Sequence, residues 1–155
     1  LGADPLSPLA GAVAPDARAA AMGHSFGGAA SLVAASGRSD LFDAVIPLAA
    51  TLTSPQGVDI QAATAALRVP SLHFGASQDT IVPPNANLDP LYALAPGPKR
   101  LLELRGGTHS YFHEAWAIDR LLEPPGSISV AEQQRLQRRY GHAFLQVVQR
   151  GDARY

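Results

Sequence analysis

Residues 19–35 read AAAMGHSFGGAASLVAA: small apolar residues, a cluster of glycines around one serine, then a second apolar run. A buried strand over Ala19–Met22, a sharp turn, and an apolar helix over Gly27–Ser36 account for that spelling. The helix is expected to end at Gly37, where a left-handed cap suits glycine. Gly23 and Gly27 stand two residues either side of Ser25 and spell G-x-S-x-G. A serine on so tight a turn needs neighbours without a Cβ. Such a turn lifts the hydroxyl clear of the sheet. The N–H of Phe26, opening the helix, is then expected to face the same space as a donor to a developing oxyanion. By itself the motif is also what a glycine-rich turn with a serine in it looks like. Its strand-before and helix-after context, and Gly28 for close helix packing, add to it; partners downstream must supply the rest.

Outward from this stretch, apolar runs alternate with turn-rich segments. Ala44–Leu48 (AVIPL) reads as a buried strand, although Pro47 cannot donate to a ladder. Ile60–Leu67 reads as a short helix, Ser71–Phe74 as a strand ending at Gly75, and Arg100–Leu104 as a strand closed by Gly106 and Gly107. Tyr111–Leu122 is a helix candidate stopped by Pro124, Pro125 and Gly126. Ser129 with Glu132 spells a capping box, opening a helix that runs to about Gln149 and stops at Gly151. Leu1–Pro15, with three prolines, is an irregular lead-in, and no internal repeat or low-complexity linker interrupts the chain. Strands alternating with helices imply an α/β fold, a mostly parallel sheet with helices on both faces. Ligands of such sheets bind beyond the carboxyl ends of the strands. Ser25, Asp79 and His109 all fall there.

Composition bounds the alternatives. With 46% hydrophobic and 16% charged residues, the 155-residue chain reads as one globular domain or part of one. A net charge of −1 gives no positive field for nucleic acid. Arg135, Arg138 and Arg139, with Glu132 nearby, read as a solvated helix face. The absence of cysteine removes disulfides, thiolate catalysis and zinc–thiolate sites. No uninterrupted apolar stretch of about 18 residues is present to span a bilayer. Compartment and oligomeric state are left open.

A serine hydroxyl is a weak nucleophile and needs an adjacent base, itself oriented by a carboxylate. Asp79, a short turn past the Ser71–Phe74 strand, is the candidate acid; Asp43, Asp59 and Asp89 follow no strand ending in a glycine turn. His109, behind RGGT and just past the Arg100–Leu104 strand, is the candidate base. His113 is its rival but is expected inside the following helix. His24 is expected to point away from the site, His73 to be a core or sheet-face residue, and His142 to belong to the last helix. His109 and His113, at i and i+4, could instead pair on a metal with Glu114 or Asp119, but no third ligand is clearly presented, so no metal is expected. GHSFGG lacks a P-loop lysine and the G-x-G-x-x-G spacing, so no cofactor is expected either. Phe26, Ile81, Val82, Tyr111 and Phe112 neighbour the three candidates in sequence and are tentative lining for an apolar cleft.

The strings GHSFGGA (23–29), GASQDTIVPP (75–84) and LLELRGGTHSYF (101–112) resemble the nucleophile, acid and histidine regions of the α/β-hydrolase superfamily. Within it they resemble most the polyesterase-type cutinases and the platelet-activating-factor acetylhydrolase-like and chlorophyllase-like bacterial esterases. The ending YGHAFLQVVQRGDARY (140–155) is similar to the last helix and tail of the cutinase-type enzymes. The resemblance implies hydrolysis of carboxylic esters through an acyl-enzyme. Ser25 would be the nucleophile, His109 the base and Asp79 its orienter, with the Phe26 N–H as half of an oxyanion hole. It covers nearly the whole chain but only the second half of the family's fold. The expectation is therefore the C-terminal part of a single catalytic domain, residues 1–155, poorly soluble by itself; a natural short chain completed by a partner is the alternative. About twenty residues separate Leu48 from Ser71, too few for a large lid, so an open site for small-molecule or polymeric esters is expected. A non-catalytic binding module and an amide- or peptide-cleaving hydrolase are the other readings.

Overall fold

In the computed structural model, four strands lie in chain order in one sheet: β1 (Ala19–His24), β2 (Phe42–Leu48), β3 (Ser71–Ala76) and β4 (Lys99–Leu104). All three pairings are parallel. The structure describes residues 19–54, 57–114, 122–152 and 154. Parallel neighbours require crossovers, and each contains a helix: α1 (Phe26–Gly37), α2 (Ile60–Ala65) and α3 (Leu88–Leu94). A long helix, α4 (Val130–Arg150), closes the fold.

The two central strands are covered on both faces, so β2 from Ala44 onward and all of β3 are buried without alternation, whereas the edge strands β1 and β4 (KRLLEL) are largely half-buried or exposed. Over one face, Ala29, Leu32 and Ala35 of α1 pack with Val45, Ile60, Leu67, Val69 and Leu91. Over the other, Ile46, Leu48, Leu72, Phe74 and Leu104 pack with Phe112 and with Leu136, Phe144 and Leu145 of α4. Every residue of β3 is buried.

Pro47 is tolerated in a central strand because its neighbours carry the pairing. Toward β3 the register runs through Val45↔Ser71 and Leu48↔Phe74, on either side of the position that has no N–H to give. Toward β1, Pro47 pairs with Gly23.

Two local expectations are corrected, and one helix is added. Gly37 is the last helical residue of α1, and the cap is Arg38 at φ −135°, whose N–H reaches Ala34 O; the left-handed cap is at Gly151 (φ 63°), behind α4. No helix begins at Tyr111: Ser110–Phe112 is a single 3-10 turn and His113 is extended at φ −128°, ψ −179°. The rest of that candidate, 115–121, lies outside the described residues, as does the lead-in Leu1–Pro15. Helix α3 has no counterpart in the sequence reading, because a seven-residue LDPLYAL with a proline in its first turn carries too little periodicity to stand out.

Candidate active site

Ser25 sits between the end of β1 and the start of α1 at φ 57°, ψ −121°, a conformation costly for any residue with a Cβ. Its N–H donates to Leu48 O at 2.9 Å, and its carbonyl accepts from Ala29 N at 3.1 Å, so β2 and α1 together hold the turn. A Cβ on Gly23 would run into the Gly27 carbonyl, and one on Gly28 would come within 2.9 Å of Ala50 Cβ. The glycines thus let strand and helix meet closely enough for the turn to exist. Phe26 is the first residue of α1, and its N–H has no acceptor one turn back.

Asp79 follows β3 and is buried. Its Oδ1 accepts from the N–H groups of Ile81 (3.0 Å) and Val82 (2.6 Å). Its Oδ2 lies 2.7 Å from Nδ1 of His109, which is itself buried on the loop past β4. A carboxylate held by amide donors accepts only, so His109 donates through Nδ1, and Nε2 lies on the other side of the ring. Among the described residues the hydrogen bond of the His109 side chain is this one to Asp79, and none joins it to the Ser25 hydroxyl.

His24 does not point away. Its ring lies 4.3 Å from that of His109, centroid to centroid and tilted 46°, and 5.2 Å from His113. The loop past β4 swings back across the strand ends as far as β1, which a linear reading cannot anticipate. His113 stands in extended backbone beside this stack, with Nδ1 2.7 Å from Glu114 O. His73 is core: its Nε2 lies 3.1 Å from Ser71 Oγ, and burial, aided by Lys99, lowers its pKa to about 4. Of the tentative cleft residues, Phe26 (56%) and Ile81 (42%) are exposed, Val82 and Phe112 are buried, and the Tyr111 hydroxyl accepts from Gly126 N–H at 3.2 Å. Among the described residues no three His, Asp or Glu side chains gather as a metal site; Asp119 lies outside them.

A family model described as PET hydrolase-like matches residues 1–120. The chain belongs to that family. Relatives include cutinase est1 of Thermobifida alba, 40% identical over 94 residues, and cutinase 2 of Thermobifida cellulosilytica, 42% identical over 94 residues. Each match covers 59% of this chain and 29% or 33% of the relative, so the PET hydrolase-like chain spans about a third of their length. Solved structures with the same fold include the esterase domain of a Rhodothermus marinus protein (TM-score 0.52, 22% identity, 59% of this chain and 52% of that one). Est1E of Butyrivibrio proteoclasticus is similar at TM-score 0.51 and 22% identity, over 59% of this chain and 53% of its own. The sheet with helices on both faces is an α/β-hydrolase architecture.

Two residues of the PET hydrolase-like chain beside the His109 loop lie beyond the matched segment and carried no signal in the sequence. Gln133 of α4, fully buried, grips Thr108 by both main-chain groups: Oε1 accepts from Thr108 N (3.0 Å) and Nε2 donates to Thr108 O (2.8 Å). Glu123, also buried, takes hydrogen bonds from Thr80, His109 and Ser110. Nothing in LLEPPG marks its glutamate as buried, and only the tertiary structure turns it inward.

Proposed function

We propose that the chain carries the nucleophile, base and acid of a serine carboxylic ester hydrolase of the cutinase kind. The observation that carries this reading is the buried 2.7 Å His109–Asp79 pair, set past β4 and β3 beside the strained turn that bears Ser25. Membership of the PET hydrolase-like family and the cutinases among its relatives support it.

In the proposed reaction Ser25 Oγ attacks the ester carbonyl while His109 Nε2 takes the hydroxyl proton. The oxyanion of the tetrahedral intermediate receives the Phe26 N–H. Collapse expels the alcohol, which leaves with the proton from His109, and the acyl group stays on Ser25. Water then attacks the acyl-enzyme by the same route, His109 taking its proton and returning it to Ser25 as the acid departs. Asp79 holds the Nδ1–H tautomer throughout and stabilises the imidazolium. On this reading residues 1–155 are the C-terminal part of one catalytic domain, and the second oxyanion donor comes from outside the chain. Exposed Phe26 and Ile81 offer an apolar rim to the acyl or alcohol group of a soluble or polymeric ester.

Initial rates on p-nitrophenyl esters from acetate to dodecanoate, with matched anilides, test this in the full-length protein. Short esters are expected to turn over, and Ser25→Ala to lower kcat/KM at least about a thousandfold. Equal rates for the two proteins would reduce the Ser25 turn to a structural feature; turnover of anilides in preference to esters would move the reaction to amides.

A further inference from the structure

Glu123 is buried beside the proposed catalytic pair, and the reaction as written does not use it. Its Oε1 accepts from Thr80 N (3.1 Å) and His109 N (3.0 Å); its Oε2 accepts from Ser110 N (2.9 Å) and Ser110 Oγ (3.0 Å). Three of these donors are main-chain amides from two separate segments. Thr80 directly follows Asp79, while His109 and Ser110 are the proposed base and its successor. One side chain therefore fastens the main chain on both sides of the 2.7 Å His109–Asp79 bond.

Four donors converging on two oxygens is the pattern of an ionised carboxylate, which only accepts. Bonds to such a group are shorter and stronger than neutral ones. Burying a carboxylate is costly unless its bonds are all made, so packing alone would be better served by an apolar side chain. The segments are also joined farther from the pair, by Gln78 N–H to Gly107 O at 2.9 Å, but that bond does not touch the main chain of His109.

We propose that Glu123 is a positioning residue that sets the distance and angle between His109 and Asp79 by clamping the main chain at His109 and at Thr80, directly after Asp79. The proposal rests on the reading of His109 as the catalytic base. Glu123→Gln keeps the shape but replaces one acceptor oxygen by an NH2, which in either orientation faces at least one main-chain amide donor. Kinetically it is expected to lower kcat on p-nitrophenyl butyrate by about 10- to 100-fold with KM nearly unchanged, the usual consequence of a small misplacement of catalytic groups. Spectroscopically, the low-field proton resonance of the His109 Nδ1–H···Asp79 bond should shift or vanish well below the melting temperature. Ser110→Ala, which removes the hydroxyl bond and leaves the three amide bonds, should cost less than about fivefold.

All measurements are made on the full-length protein, with the Ser25→Ala variant in parallel. A Glu123→Gln protein with unchanged kcat and unchanged low-field resonance overturns the proposal, whatever happens to its melting temperature. Hydrogen exchange in the unmutated protein decides the matter even if that variant does not fold: the Thr80, His109 and Ser110 amides must be protected, and exchange at free-loop rates overturns the clamp. Loss of the function reading shows separately, as esterase activity that survives Ser25→Ala.

Discussion

His73 illustrates how burial alone decides a side chain's chemistry. Its neutral ring is enclosed in β3, edge-on to Tyr92 at 5.8 Å, and it takes up a proton only near pH 4, whereas the imidazole of an unfolded chain does so near 6.5. As pH falls through that window the unfolded chain binds the additional proton, so stability present at neutral pH is lost, by up to about 3 kcal/mol once pH is below 4. Urea midpoints taken from pH 7 to 4.5 should fall accordingly, and His73→Gln should flatten that part of the curve; parallel curves would show that His73 is not responsible. The sequence marked His73 as a core or sheet-face residue because it stands mid-strand. It marked Asp79 and His109 as a pair by their places just past two strands, and the structure puts them 2.7 Å apart. Glu123 and the His24 stack were illegible, since each is defined by contacts with residues remote in the chain.

At the scale of elements, the strand–turn–helix at Ser25 depends unequally on its two motif glycines. A Cβ at Gly23 meets the Gly27 carbonyl, which cannot move without displacing α1 from β1, whereas a Cβ at Gly27 meets nothing within 4 Å. Gly23→Ala should therefore cost about 2–4 kcal/mol of stability and at least about a hundredfold in activity. Gly27→Ala should be neutral or stabilising by up to about 1 kcal/mol through helix propensity. Thermal melts and ester kinetics of the two variants side by side check this, and equal losses would refute the steric account. Elements with a strong local signal were legible: the four strands, the α1 run, and α4 opened by Ser129, whose side chain accepts from Glu132 N at 3.1 Å. The reciprocal half of that capping box is diverted, Glu132 pairing instead with Arg135 at 2.7 Å. Short α3 and the 3-10 turn at Ser110–Phe112 owe their form to packing and were not legible.

Over the whole molecule, β1 is an edge of the sheet among the described residues, with Met22 59% exposed. A groove of about 400 Å³ between β4 and α4 is lined by apolar side chains including Leu101, Leu102, Phe144 and Val147. An open strand edge together with apolar surface promotes association. Residues 1–155 expressed by themselves are expected to bind a hydrophobic dye and to sediment as species larger than one chain; a monodisperse, dye-silent monomer would contradict this. The alternation of apolar runs with turns determined, from sequence alone, that the chain is an α/β protein, and the glycine spacing around Ser25 determined where its sharpest turn lies. Both are local consequences of side-chain size and period. Only the tertiary structure decided that the loop past β4 crosses the strand ends to stack His109 on His24, and that Glu123 turns inward to hold it. Those placements are set by hydrogen bonds and packing between segments far apart in the chain, whose partners no local pattern specifies.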